Sequence, residues 1–244
     1  MTDRPTRQTG AIVDPLPPGN VPDLRPLPGR WMRLEPLNSA KHGAALHASF
    51  DGDPQEAELW TYMGYGPFTD FTAFDLWLKQ REAARDPWFY AFVRRDTAKP
   101  LGMGAFMRAD AMNGVIEIGH IWMAHALQRS REATETIYLM IRHCFDDLGV
   151  RRLEWKCDAL NQPSRRAALR FGFAFEGIFR QHMIIKGRNR DTAWFSMLDK
   201  DWPGVRTSFE SWLSDSNFDA EGRQKRKLRV IPADAIQRPE NQGP

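Results

Sequence analysis

Glu117 and His120 lie three residues apart in the run Val115-Ile116-Glu117-Ile118-Gly119-His120. They are the side chains of this sequence best suited to taking a proton from a nucleophile. A carboxylate within reach does so directly or through water, and an imidazole with an ordinary pKa of about 6.5 does so near neutral pH. Both types also have plain structural uses. A strand glutamate can anchor a neighbouring strand or pair with an arginine, and a strand histidine can simply pack. Both readings stay open. On an extended strand the two project to opposite faces, unless a bulge at Gly119 re-aims one of them.

A second group, Gln128-Arg129-Ser130-Arg131-Glu132-Ala133-Thr134, stands where the chain turns from that strand into a long helix. A helix N-terminus presents unpaired N–H groups and a partial positive charge, which favour an anion. Arg129 and Arg131 add full charges, so the stretch can hold a pyrophosphate. Asn161 and Ser164 flank Pro163 at the start of a further helix, where both types commonly cap.

These groups must be positioned by elements that the hydrophobic pattern places in alternation. Residues 31–37 predict a short strand and 39–50 a helix with Ser39 as cap. Two further helices are expected over 54–63 and 69–85, the second capped by Thr69 or Asp70. Aromatic and β-branched runs predict strands at 88–95, 101–109 and 114–123, with an Asn-Gly hairpin signal between the last two. Ala133, Ile137, Met140, Ile141, Cys144 and Leu148 form one helical stripe within 127–148, stopped by Gly149. A strand at 151–159, a helix from Asn161 to Gly172, strands at 173–186 and 191–198, and a helix at 202–213 complete the order. This is an α+β pattern, with helices flanking a mixed sheet.

The chain has 244 residues, and its composition is that of a globular domain. Residues 1–29 hold seven of the 17 prolines and read as an extended arm, disordered or laid over the surface. The body is 30–217, and 218–244 reads as a basic tail. Six basic side chains against three acids in 221–244 account for the net charge of +3. The charge therefore argues little for nucleic acid, and the run at 223–229 serves solubility. No apolar stretch approaches the length of a membrane span, and no secretory leader is visible. Two cysteines suit a reducing cytoplasm, and Cys157 reads as a packed residue. No metal site is expected, since His42 and His47 lack the i, i+4 spacing of a zinc helix.

The motifs together resemble the GCN5-related N-acetyltransferases (GNAT), and within them the ribosomal-protein N-terminal acetyltransferase branch. The residues that carry the resemblance are Ile116-Glu117-Ile118-Gly119-His120, then Gln128 to Ala133. Asn161-Gln162-Pro163-Ser164, Leu169-Arg170-Phe171-Gly172-Phe173 and Glu176-Gly177 follow. The likeness spans about residues 30–200. Arg131 departs from it, standing where many members carry glycine. The resemblance implies a mostly antiparallel sheet splayed between its fourth and fifth strands, 114–123 and 151–158. It implies acetyl-CoA as co-substrate and direct acetyl transfer to a primary amine, on a small molecule or a protein N-terminus. Ile121, Trp122 and Met123 would pair with pantetheine through their backbone, and the 128–134 stretch would cradle the pyrophosphate. Asn161 would bond the pantetheine amides, Ser164 would protonate the departing sulfur, and Glu117 would act as base with His120 as competitor.

The acceptor side is expected near Tyr62, Tyr65 and Glu117. Phe71, Phe74 and Trp77 are expected in the core, and the turn Lys186–Asp191 would frame the opposite wall. The rival reading is a non-catalytic CoA-binding sensor or protein-interaction domain, which Arg131 favours. A homodimer is compatible with the chain, but the sequence does not select an oligomeric state.

Overall fold

A computed structural model describes residues 9–52, 58–68 and 70–230. In chain order the elements are β1 (Leu27–Pro28), β2 (Met32–Pro36), α1 (Ser39–Ala48), α2 (Phe71–Glu82), β3 (Trp88–Arg94), β4 (Pro100–Asp110) and β5 (Val115–Met123). Then come α3 (Arg131–Arg142), β6 (Arg152–Asp158), α4 (Gln162–Arg170), β7 (Ala174–Ile185), β8 (Arg188–Leu198) and α5 (Trp202–Leu213). The strands make one open sheet in the order β1-β2-β3-β4-β5-β6-β8-β7. Every neighbouring pair is antiparallel except β5 and β6.

That parallel pair is short. It joins Val115 to Arg152, Ile116 to Leu153 and Glu117 to Glu154, and then the two strands part. The splay expected between the fourth and fifth strands lies here, at β5 and β6 once the arm's short β1 is counted. Beyond Glu117 the β6-facing backbone edge of β5 has no strand beside it.

Two apolar layers cover the sheet. On one face Ile137, Met140, Ile141 and Cys144 of α3 meet Ile116, Ile118, Leu153 and the α5 residues Val205 and Phe209. The stripe read from the sequence is this buried face. Ser130, rather than residue 127, begins the helix: its Oγ accepts the Ala133 N–H at 2.9 Å. The last turn, His143–Asp147, widens into a π-helical turn before Gly149 ends it at φ 65°. On the other face α1 and α2 pack Leu46, Phe74 and Leu78 onto Phe89, Ala91, Met103 and Trp122. Each buried Leu, Ile, Val, Phe or Met among them contributes about 1.5–3 kcal/mol by leaving water.

Several expectations change. Asn38, one residue before Ser39, caps α1 by accepting the Lys41 N–H. Asp70 caps α2, whereas Thr69 lies outside the described residues. Of the helix expected over 54–63, residues 54–57 also lie outside them, and only Glu58–Trp60 forms a single 3-10 turn. Phe71 is exposed, because the buried stripe of α2 runs through Phe74 and Leu78, four residues apart.

Both flanking segments, where described, lie on the body. Asn20 donates to the Leu148 carbonyl, and Leu27 is buried where β1 pairs with β2. The buried carboxylate of Glu135 in α3 accepts the backbone N–H groups of Arg30, Trp31 and Met32 at 2.6–2.8 Å, pinning the end of the arm. Phe218 packs edge-on against Trp212, and Leu228 is buried.

Candidate active site at the splayed strands

The splay brings the sequence-selected residues together from four elements. Glu117 ends the paired part of β5, and its side chain is almost fully buried. Its Oε2 accepts from Arg108 Nη1 at 2.7 Å and lies 2.9 Å from Lys156 Nζ. Lys156 also lies 2.6 Å from Glu154 Oε2, and Glu154 Oε1 accepts from Arg152 at 2.8 Å. Arg152 then grips Glu176 with two bonds at 2.8 and 2.6 Å. Six alternating charges therefore cross the sheet from β4 to β7. The Oε2 of Glu117 is thus engaged by two cations at once. Arg108 reaches it from a β4 bulge where its own φ is 50°. Burial and paired charge explain the shifts further along. Arg152 is held protonated more firmly by Glu176, and that same bond lowers Glu176 below the usual carboxylate range.

His120 is re-aimed as a bulge allows. The β4–β5 register shifts between Met103 and Ala105, opposite Trp122 and Gly119, and His120 sits at φ 51°. A left-handed backbone at a non-glycine residue is uncommon and concentrates at functional sites. Gly119 belongs to the same device, because a Cβ there would sit 2.8 Å from Met107 Sδ. The imidazole thereby joins the α1/α2 side of the sheet, tilted against Phe89 with ring centres 5.1 Å apart. Tyr65 stacks on it at 5.7 Å and 19°, with its Oη 3.2 Å from Nδ1. Burial lowers the pKa of His120 to about 4, and the charges of Arg81, Arg108 and Arg190 add to that. Burial also raises the Tyr65 phenol above its ordinary range.

Tyr65 is set by an aromatic cluster, with Trp77 at 4.4 Å and Trp60 at 6.0 Å. The loop needs glycine at Gly66, where φ is 64° and a Cβ would lie 2.7 Å from the Trp60 ring. Tyr62 donates to the Leu160 carbonyl at 3.2 Å, and Lys186 of the β7–β8 turn donates to the Trp60 carbonyl at 2.8 Å. The 58–68 segment thus bridges both far walls of the cleft.

At the other side of the splay, Ser164 Oγ accepts the Trp155 Nε1–H at 3.0 Å. The hydroxyl proton is within reach of the Cys157 sulfur. Asn161 caps α4 by accepting the Ser164 N–H at 3.1 Å. Cys157 is buried beside Ser164, and burial raises its thiol.

The helix mouth offers less than the seven residues first named. Ala133 N–H is taken by Ser130 Oγ and Thr134 N–H by the Ser130 carbonyl. The Thr134 hydroxyl is buried and accepts from Arg170. Thr134 is therefore turned inward, and the unpaired amides among the described residues are those of Arg129 to Glu132. Gln128 donates to the Met123 carbonyl at 2.9 Å, fixing the turn from β5 into the mouth. The left-handed residue of that turn is Arg129, at φ 58°, whereas Arg131 is the first helical residue and needs no special backbone. Its guanidinium lies over Trp31 at 4.3 Å and Phe218 at 5.3 Å.

Reasoning from sequence alone did not select Arg108, Lys156, Arg81 or Arg190 as individual site residues. Only the basic turn containing Arg190 gave a signal. The others become visible once strand pairing and helix docking are known.

Residues 32–174 match the acetyltransferase (GNAT) domain. A GCN5-related N-acetyltransferase structure from Brucella melitensis is 45% identical, with a TM-score of 0.84 over 88% of this chain and 96% of that one. The uncharacterized N-acetyltransferase p20 of Bacillus licheniformis is 28% identical over 157 residues, 61% of this chain and 85% of its own length. The ribosomal-protein-serine acetyltransferase of Escherichia coli is 31% identical over 81 residues, 33% of this chain and 45% of its own. With more than half of the chain matched by the domain and the sheet splayed at its one parallel pair, the chain belongs to the GNAT family of acetyltransferases.

Proposed function

We propose that the protein transfers an acetyl group from acetyl-CoA to a primary amine, by direct attack in a ternary complex. The observation that carries this reading is the parting of β5 and β6 after Glu117 and Glu154, between the free amides at the α3 mouth and the Ser164 hydroxyl. The donor fits those groups. An unpaired strand edge at Ile121–Met123 suits pantetheine amides, and the N–H groups of Arg129–Glu132 suit a pyrophosphate. When bound, the donor supplies an acetyl thioester whose C–S bond breaks as the amine's C–N bond forms.

His120 is proposed to take the amine proton, with Glu117 holding the charge frame beneath it. The imidazole is neutral at physiological pH. With its proton on Nδ1, donated to Tyr65 Oη, the Nε2 lone pair is free to accept. Ser164 is proposed to donate to the departing sulfur, because its oxygen already accepts from Trp155 and its proton can turn from the Cys157 sulfur to the donor's. Asn161 would hold the pantetheine side while it caps α4, and Tyr62 and Tyr65 would line the acceptor side. A protein N-terminus or a small-molecule amine fits as acceptor, and the relative named for a ribosomal-protein serine supports the former. Among the described residues no helix is long and apolar enough to cross a membrane. Two buried free cysteines suit the cytoplasmic location we assign.

The sensor reading rested on Arg131 closing the mouth. Its side chain is instead drawn over Trp31 and Phe218, and helical geometry suits any residue at that position. Calorimetric titration with acetyl-CoA, followed by thiol release against a panel of amines, tests the proposal. Micromolar binding with release is expected. Binding with no release from any amine would move the reading to a sensor, and absence of binding would overturn it.

A further inference from the structure

Around His120 the described cations outnumber their partners. Glu117, Glu154 and Glu176 neutralise Arg108, Lys156 and Arg152 within the six-charge chain. Asp86 accepts backbone N–H groups of Arg108 and Ala109, Asp75 pairs with Lys79, and Glu82 is bonded by Ser39. Asp191, beside Arg190 on the hairpin, accepts from Gln181 and Asn189.

Two arginines are left over. Arg81, at the end of α2, lies 5.8 Å from the centre of the Trp77 ring, which in turn packs at 4.4 Å against Tyr65. Arg190 is the third residue of β8 and shares a strand face with Thr192 and Trp194, and Trp194 lies under Lys156 at 3.8 Å. The Nε atoms of both arginines are buried and have no hydrogen-bond partner, Arg81 Nη2 donates to Gln80 Oε1 at 3.4 Å, and neither guanidinium has a carboxylate partner among the described residues. The hairpin that carries Arg190 reaches the Tyr65 loop, because Lys186 donates to the Trp60 carbonyl and Trp60 packs on Tyr65. Buried donors are normally satisfied, so the two guanidinium groups ask for an acceptor from outside the chain.

Resting on the acetyltransferase reading, we propose that the acceptor amine carries a carboxylate close to its amino group, received between Arg81 and Arg190 beside the Tyr65–His120 pair. Guanidinium groups bind a carboxylate in a fork geometry that an ammonium does not provide. The two positive charges act on His120 as well. A bound carboxylate offsets them, so the imidazole becomes a better proton acceptor when the correct substrate arrives. An amine bearing an extra positive charge is repelled by the same groups.

Matched amines test this: free amino acids against their carboxamides, and short peptides with Asp or Glu at the second position against Asn or Gln. The two arms separate a small amino acid from a protein N-terminus as the source of the carboxylate. The carboxylate forms should exceed their neutral partners in kcat/KM by tenfold or more. In Arg81→Gln and Arg190→Gln the preference should shrink by about tenfold, with acetyl-CoA binding unchanged by calorimetry. Equal or better use of the neutral amines, or a preference that both variants retain, overturns the proposal while leaving acetyl transfer intact. Failure of every amine would instead count against the acetyltransferase reading. Binding then decides the inference by a second route. Glutarate should raise the His120 pKa followed by NMR in the wild type and not in Arg190→Gln. An unmoved wild-type titration overturns it.

Discussion

Replacing Glu117 by Gln separates a carboxylate that holds a frame from one that moves a proton. The change removes one negative charge from between Arg108 and Lys156 while keeping the side-chain volume. Breaking a buried pair by deleting one partner typically costs about 3–5 kcal/mol. Two features reduce that figure here. Lys156 keeps Glu154 at 2.6 Å and the Trp194 ring at 3.8 Å, and the Arg108 side chain is 50% exposed and can turn to water. A loss of about 2 kcal/mol is the consistent magnitude, and for a domain of this size that lowers Tm by about 4–8 °C. Urea unfolding should return the same difference with an unchanged m-value. Turnover should fall by less than about tenfold, because the group only positions, whereas removal of a general base costs about 10²–10⁴-fold. The double variant Glu117→Gln with Lys156→Met should recover part of the stability, since an apolar replacement removes the stranded charge. An unchanged Tm combined with a hundredfold loss of turnover would refute the reasoning and make Glu117 the base.

Ser164→Ala leaves the Trp155 Nε1–H without its acceptor. It should cost about 1–3 kcal/mol, and slow transfer to amines with little change in acetyl-CoA affinity; unchanged turnover removes Ser164 as the proton donor. For His120 the folded pKa of about 4 lies below the ordinary value of the unfolded chain. The unfolded state binds the extra proton, so the stability contribution is present above about pH 6.5 and is lost as pH falls toward 4. The variant His120→Asn should flatten the loss of stability over that window, leaving the part due to His42 and His143, which are shifted in the same direction; an identical pH profile would contradict the burial argument.

Much of the fold was legible because its signals are local. The α3 stripe, the aromatic strands and the Gly149 stop follow from periodicity and propensity within a dozen residues. The α4 cap at Asn161 and the splay implied by the family likeness belong with them. The α2 face was misread at Phe71 because three aromatic residues at i, i+3 and i+6 outrun a helical stripe, and docking buries Phe74 and Leu78 instead. The partners of Glu117 were not legible. They sit on β4 and β6, and Lys156 is 39 residues away. Which cation lies opposite a strand carboxylate depends on register, and nothing local encodes it.

By itself the sequence determined the order of elements, the helix mouth at Ser130–Arg131 and the pairing of an acidic with an imidazole side chain on one strand. The tertiary structure alone decided which way those side chains face. A one-residue bulge between Gly119 and Trp122 turns His120 onto the α1/α2 side of the sheet, and parallel pairing that stops at Glu154 parts β5 from β6. It also decided that Arg81 and Arg190, 109 positions apart, both bear on His120 and have no carboxylate partner among the described residues. Periodicity is written along the chain, but charge balance at a site is a sum over everything that packs around it.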